Sequence, residues 1–505
     1  MKKSAIIVGS GIGGMALSVL LSNQGYQTTV YEKNHLLGGR CTSYEKFHEG
    51  KKFIIDMWTH TFPTAERAFN KIFKKANIDY GIKFYHFESE NPPQLWGGKG
   101  KKFNIPTSQD DLGSQIRIMQ KRPKKRKENI DVKSVSTRNP DSKLTKIMSD
   151  IFSLSKKKLK ELNNITFDEW LRRYTDNELI INQLGIICAF MFVNMAYDSK
   201  VKKGSAAGET IRSVREWFGQ INSGYPYGGS VGIVNGYKKV LEDLKGKVEI
   251  KKKIDKIIIE DDRVTGIDVE GDFIATDIVI SNAGIKETVI NLVGEKFLPK
   301  EYVNEIKSLE VSEGADTWGF YSIKFGMNQK LIKPPIVFPM IWMDKSQRVD
   351  SIRELIEEFM MKDKIPPSGG MYITIPSNMD PSLAPTGKQI VNMGCIGPVK
   401  SKNYQKWIDF YIDILEKLVP NFRKHVLFMD VHRTGDPLQA WTGRFQGDAV
   451  GISQSVGQVG EYRPKPKPPL IDGLYFVGAD VGTTGIGTEM SALSALTTFK
   501  VIMDN

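Results

Sequence analysis

Three glycines and an acid carry the first chemistry that the chain offers. The stretch SAIIVGSGIGGMALSVLLSNQGYQTTVYEKN places Gly9, Gly11 and Gly14 in the spacing G-x-G-x-x-G and sets Glu32 at the end of the next apolar run. Backbone without side chains does what side chains prevent: Gly9 permits a tight turn, Gly11 lets the main chain approach a pyrophosphate, and Gly14 lets a helix pack close on a strand. Ile12 and Gly13 complete the turn. Glu32, with Lys33 beside it, stands where a carboxylate accepts hydrogen bonds from a ribose diol. Shortly after, LLGGRCTSYEKF supplies Gly38, Gly39 and Arg40. A guanidinium there would fork onto two diphosphate oxygens and keep its charge.

These residues need elements to hold them. Residues 5–8 read as a short buried strand, and Met15, Leu17, Val19, Leu20 and Leu21 fit a helix whose positive N-terminal end would point at phosphates. Residues 27–31 give the next strand. Strand, helix, strand and acid in that order, within about thirty residues, argue for a dinucleotide site rather than an ordinary strand–turn–helix. Further on, VEIKKKIDKIIIEDDRVTGIDVEGDFIATDIVISNAG reads as a β-meander with a turn at Asp261-Asp262. Near the end an apolar strand over 474–477 runs into Gly478-Ala479-Asp480.

The chain resembles the flavoprotein family that includes phytoene desaturases, carotenoid isomerases and retinol saturases, within the flavin amine oxidase superfamily. The likeness is carried by Gly38-Gly39-Arg40 after the acid and by Asp56 and His60 in FIIDMWTHTFP. It extends through YPYGGSVGIVNGYKKVLEDL, DPSLAPTGKQIV and RPKPKPPLIDGLYFVGADVGTTGIGTEMSALSAL, and so covers most of the chain. The resemblance implies an α/β fold: a discontinuous Rossmann-like FAD-binding domain of the GR2 type with an inserted α+β substrate domain. It implies FAD as the cofactor. It places Thr59 and His60 under the flavin, His60 as the candidate catalytic residue, and the Ile254 backbone against the adenine. Asp480 would accept from the ribityl hydroxyls. Gly485, Gly487, Thr488 and Met490 would open a helix whose N-terminus faces the flavin's pyrimidine edge. The chain departs from the family at Trp58, where a glycine is usual; an indole there would narrow the cavity or stack on the substrate. Trp441 and Phe445 are candidates to wall the same cavity, and His432, Arg433 and Asp436 precede them.

With 505 residues, 40% hydrophobic and 10% aromatic, the chain is globular and too long for one simple core. The motif positions assign 1–75, 225–300 and 455–505 to the FAD domain, and 76–224 and 301–454 to a substrate domain. Three scattered cysteines, Cys41, Cys188 and Cys395, form no C-x-x-C. They argue against a metal site or disulfide framework and for a reducing, cytoplasmic setting. None lies near the C-terminal flavin segment, so FAD is expected to be non-covalent. The N-terminal apolar run enters the glycine turn too soon for a signal peptide. The 14-residue run at 184–197 is too short for a membrane span and reads as a buried helix lining the substrate domain.

The net charge of +13 is concentrated: 117–160 holds 15 Lys and Arg against 4 Asp and Glu. Within it Leu144, Ile147, Met148, Ile151, Phe152, Leu159 and Leu162 fall near one helical face. The part around Pro123 reads as an exposed loop. Two readings stand for the window: a surface insertion whose helix packs on the body, or a segment over 117–162 whose basic helix lies on an anionic membrane surface, making the enzyme peripheral. Without aromatic interleaving or a recognition helix, nucleic acid is not an expected partner.

Flavin chemistry needs from the protein only position, a dry cavity and one proton donor or acceptor. The leading function is therefore an FAD-dependent oxidoreductase acting on a C–C or C=C bond of a long apolar isoprenoid or polyene, as desaturase, saturase or isomerase. A flavin amine oxidase is the near alternative and would need an aromatic cage, for which Trp58 and Trp441 would have to face each other. A non-enzymatic isoprenoid carrier resembling the Rab escort and GDP-dissociation-inhibitor proteins is the alternative of another class. A second intact G-x-G-x-x-G is absent, so the expected electron partner is a quinone, oxygen or another carrier rather than NAD(P)H.

Overall fold

The computed structural model describes residues 3–58, 62, 65–88, 90–97, 100–105, 143–199, 202–219, 224–312, 318–340, 351–482 and 485–505. Strands β1 (Ser4–Val8), β2 (Gln27–Glu32), β3 (Lys247–Ile250), β4 (Ile278–Ser281) and β5 (Leu474–Phe476) form a parallel sheet in the order β5-β4-β1-β2-β3. Strands β1, β4 and β5 are buried, largely apolar runs, as in a sheet covered on both faces. Helix α1 (Ile12–Asn23) links β1 to β2 and is buried around nearly its whole circumference. It lies against the helix Gly232–Asp243 and against α2 (Gly487–Met503), and an all-round apolar helix is stable only in such an interior. The α/β, Rossmann-like reading is borne out, and its sheet gathers strands from the start, middle and end of the chain. Between β3 and β4, the strands Ile254–Glu260, Arg263–Val269 and Asp272–Ala275 form the meander. Its tight turn puts both Asp261 and Asp262 at positive φ, 46° and 56°, the conformation that closes a two-residue hairpin.

A second sheet of seven strands runs in the order Val426–Arg433, Trp318–Met327, Gln389–Pro398, Met371–Thr374, Ile336–Met340, Gln94–Gly97, Lys102–Asn104. All pairs are antiparallel except Ile336–Met340 with Gln94–Gly97. Trp318–Met327 and Gln389–Pro398 are buried along their full length. Helix Tyr404–Leu418 adds Trp407, Ile408, Tyr411 and Leu415 to the apolar core they build.

A separate core joins the helices Lys143–Ser153, Lys156–Glu161, Phe167–Arg172, Glu178–Phe192 and Ala207–Gly219. It absorbs most of the apolar face found in the basic region: Ile147, Ile151, Leu159 and Leu162 are buried here, and Met148 packs against them. Most of that face is thus covered by the protein's own helices, as in the reading of an insertion whose helix packs on the body. The segment is two helices, broken where Ser155 caps the second by accepting from the Lys158 amide at 3.2 Å, and Phe152 alone of that apolar face stays well exposed. Residues 106–142, which hold most of the basic window, lie outside the described residues. Among the described residues no helix is long and apolar enough to cross a membrane.

This helical core is tightest at Gly208, where a Cβ would overlap the Leu159 carbonyl oxygen and sit 2.5 Å from Asn163 Oδ1. Gly208→Ala is therefore expected to lower stability by about 1–3 kcal/mol through overpacking. Urea denaturation checks this; a loss under about 0.5 kcal/mol, the range of an ordinary surface change, would show that the two helices are not held so close.

Candidate functional site

The carboxyl ends of β1, β2, β4 and β5 open on one cavity of about 350 Å³. It lies where the sheet reverses order, with β2 on one side of β1 and β4 on the other, the place where open α/β sheets bind ligands. Gly9 takes φ +91° there, and a Cβ on Gly14 would sit 2.6 Å from the Gly9 carbonyl oxygen, so α1 reaches β1 only because both positions lack side chains. A Cβ on Gly11 would overlap Asn282, which lines the cavity from the end of β4. Both α1 and α2 start at this point: Gly11, Ile12, Gly487 and Thr488 line the cavity, and no side chain caps either helix. The Gly13 amide donates to Ser491 Oγ at 3.1 Å and the Gly478 amide to Ser494 Oγ at 2.8 Å, fastening the turn to α2. Gly13, Gly14 and Met490 thus stand behind the lining; the Met490 sulfur accepts from Gln454 Nε2 at 3.8 Å.

The acid sits at the β2 end. Glu32 is buried and lines the cavity; its Oε2 accepts from the Ser10 amide at 3.0 Å and hydroxyl at 2.6 Å, and its Oε1 from the Asn34 amide at 2.9 Å. The Ser10 oxygen in turn accepts from the Gly38 amide at 3.1 Å, so one hydroxyl ties the acid to the Gly38-Gly39-Arg40 loop. Lys33 and Ile254 line the same end, together with Lys252 and Lys253.

Arg40 lines the cavity and begins a chain of charges. Its Nη1 donates to Asp448 Oδ1 at 2.7 Å; Arg444 Nε donates to Asp448 Oδ2 at 2.9 Å; Arg444 Nη2 donates to Asp480 Oδ1 and Oδ2 at 2.8 and 2.9 Å. Two cations and two anions alternate, and all but Arg40 are buried. Asp480 also accepts from the Ile285 and Ile452 amides, each at 3.1 Å. Asp480 lines the cavity, its carboxylate held by Arg444 and by backbone. Burial works against its charge, yet the Arg444 guanidinium, the Ile285 amide and Arg40 hold its pKa well below the usual carboxylate range.

The other end of the cavity is apolar. Trp58, Met191, Val193, Phe320, Ser322 and Tyr372 wall it. Val193 ends the helix Glu178–Phe192 at φ 50°, a conformation that β-branched residues rarely adopt, and it does so on the cavity wall. Two expected wall residues stand elsewhere. Trp441 donates its indole N–H to the Gly39 carbonyl at 3.2 Å and meets His35 edge-on, so it braces the glycine loop and makes no ring contact with Trp58. Phe445 is 41% exposed, under the Lys286 ammonium. His432 reaches the Trp58 ring, at 6.3 Å between centroids, whereas Arg433 stacks on Tyr404 away from the cavity lining. Thr59 and His60 lie outside the described residues. Cys41 lines the cavity, its thiol donating to the Ser230 carbonyl at 3.3 Å.

Sequence reasoning missed Arg444, Asp448 and Asn282. The run WTGRFQGDAV did place an arginine four residues before an aspartate among glycines, but its partners are distant in the chain. Asn282 had a positional signal: it follows β4 as Gly9 follows β1 and Gly478 follows β5 closely.

Comparison with known proteins gives a consistent picture. A family model described as an NAD(P)-binding Rossmann-like domain matches residues 7–76. The chain is 24% identical over 530 residues to the lycopene-forming phytoene desaturase of Pseudescherichia vulneris, covering 98% of this chain and 99% of that one. It is 22% identical over 541 residues to the 4,4'-diapophytoene desaturase (4,4'-diaponeurosporene-forming) of Staphylococcus aureus strain Newman, covering 99% and 97%. Among solved structures, an oxidoreductase from Methanosarcina mazei superposes with a TM-score of 0.68 at 17% identity, covering 99% of this chain and all of that one.

The charge chain makes a direct prediction. Arg444→Met leaves Asp448 and Asp480 buried without their shared cation and is expected to cost about 3–5 kcal/mol at neutral pH. In the wild type Asp480 has a depressed pKa, so its contribution is complete above the ordinary carboxylate range and is lost progressively as pH falls from that range towards its much lower folded value. In the variant the carboxylate loses its main cation, so its pKa is expected to rise. The gap between the two proteins should therefore be widest at neutral pH and narrow in acid. Denaturation midpoints across pH check this; a gap independent of pH would contradict it.

Proposed function

We propose that this chain, a member of the phytoene desaturase-like family within the flavin amine oxidase superfamily, binds FAD non-covalently in the cavity and transfers hydride between it and a carbon–carbon bond of a long apolar isoprenoid or polyene. The observation that carries the reading is one cavity with two chemistries: a glycine-lined polar end between two uncapped helix starts, and an apolar end walled by Trp58, Met191, Val193, Phe320 and Tyr372. The residues fit the cofactor. Gly39 lines the cavity, and a Cβ there would meet nothing within 4 Å, so backbone borders open space. The N-terminus of α1 and the Arg40 guanidinium would hold the diphosphate. Glu32 would accept from the adenosine ribose, the Ile254 backbone would meet the adenine, and the amides of Gly487 and Thr488 would face the flavin. When bound, FAD supplies the hydride-exchanging centre.

The apolar wall would hold an uncharged chain by burial and fix which bond lies beside the reacting centre. An amine substrate fits less well, since Trp441 does not join Trp58 in a cage. A carrier role fits less well, since nothing in prenyl binding calls for a glycine cradle with Arg40 and Glu32. The three buried cysteines, none of them in a disulfide among the described residues, support a reducing, cytoplasmic setting. Peripheral attachment to an anionic membrane would rest on the charge of 117–142 rather than on the buried face of the helices after it.

Two experiments test this reading. Anaerobic mixing of the flavin-loaded protein with polyprenyl or polyene substrates is expected to change the flavin absorbance, while mixing with primary and polyamines leaves it unchanged; bleaching by an amine alone would overturn the reading. Co-sedimentation with anionic vesicles is expected to fall as salt rises; equal recovery with neutral vesicles would exclude attachment by charge.

A further inference from the structure

Behind the apolar wall lies a basic group that neither FAD binding nor hydride transfer uses. Lys324 is fully buried on the strand Trp318–Met327, on the face that also presents the lining residues Phe320 and Ser322. Its Nζ donates to the Ser322 carbonyl at 3.0 Å, meets His432 Nδ1 at 2.7 Å, and lies 5.7 Å from the centroid of the Trp58 ring. The His432 ring stands between Trp58, 6.3 Å away, and Tyr44, 5.8 Å away. Among the described residues no carboxylate forms an ion pair with Lys324.

The acids near it are engaged elsewhere. Asp56, at the end of the strand Lys51–Asp56, accepts from Ser43 Oγ and the Ser230 amide, both at 2.8 Å, and from the Tyr225 hydroxyl. Asp430, on the strand Val426–Arg433, accepts from the Tyr44 hydroxyl at 2.7 Å and pairs with Lys46. From the strand Gln389–Pro398 the titratable neighbour is the buried thiol of Cys395. A buried amine bonded to an imidazole, rather than to a carboxylate, is uncharged as a pair until one proton is added, and the two bases then share that proton.

We propose that Lys324 is a positioning residue of the cavity: with His432 it forms a proton-sharing pair that fixes the Trp58 indole, so that the wall answers to the protonation of this pair. In the uncharged pair the inner wall carries no fixed cation, which suits an uncharged ligand; a gained proton puts a cation under the face of the indole and changes how it is held. Burial pushes the Lys324 amine well below the ordinary lysine value, with Asp56 and Asp430 opposing, so the uncharged amine extends to lower pH than for a surface lysine. The inference concerns this chain's own residues and stands apart from the flavin reading.

The test follows Trp58 emission, taken as the difference between the wild type and Trp58→Phe, from about pH 10 down to about pH 5, which spans the lysine and histidine ranges. In the wild type a Trp58-dependent change with a single midpoint is expected. In Lys324→Met, an apolar replacement of similar length, the change should disappear or its midpoint should move. In His432→Gln the midpoint should shift by about one pH unit, as for directly coupled groups. Should Lys324→Met fail to fold, His432→Gln decides the matter alone. No Trp58-dependent titration in the wild type, or an unmoved midpoint in the folded variants, would overturn the proposal whether or not the protein holds flavin.

Discussion

The structure around the cavity depends on the alternation Arg40–Asp448–Arg444–Asp480, buried in all but its first member. It joins the loop after β2, the segment after the second sheet, and the end of β5, three stretches far apart in sequence. Buried charges are tolerable only when paired and hydrogen-bonded, and here each anion lies against a guanidinium, with backbone amides completing Asp480. Arg40 can then face the cavity from a fixed base. The glycine turn and the starts of α1 and α2 supply the rest of the polar end, and the Ser491 and Ser494 hydroxyls keep these pieces in register.

The two sheets divide the work. The parallel sheet ends in backbone amides and glycines, which suit a ligand recognised through phosphates and ribose. The second sheet and the helix Glu178–Phe192 close the other end with side chains. Trp58 stands where the two meet, at a position where the family resemblance leads one to expect glycine. Its indole takes space that a glycine would leave open and rests against Lys324 and His432 rather than against a second aromatic cage member.

What could be read from the sequence was local. The strand–turn–helix over the first thirty or so residues has its chemistry and its geometry in one stretch, so the glycines, Glu32 and the sheet were all legible. The hairpin at Asp261-Asp262 was legible for the same reason, since a two-residue turn is set by its own residues. Side-chain direction was not. Trp441 and Phe445 have the residue types of a cavity wall, but the Asp436–Thr442 helix turns Trp441 onto the Gly39 carbonyl, and the chain leaves Phe445 beneath Lys286. Asp480 was placed correctly along the chain, whereas its commitment to Arg444 depends on a loop that periodicity does not locate. The amphipathic face at 144–162 was visible, but whether lipid or protein covers such a face depends on distant helices, and here protein covers most of it.

The central claim is that side-chain-free backbone and Arg40 together grip a flavin dinucleotide. The most direct measurement is the absorbance spectrum of the purified protein after incubation with FAD and removal of the excess, with the released cofactor identified after denaturation. The expected result is a flavin spectrum, and FAD released intact into solution in about a one-to-one ratio, as one non-covalent site requires. A protein that stays colourless after incubation with FAD would contradict the account.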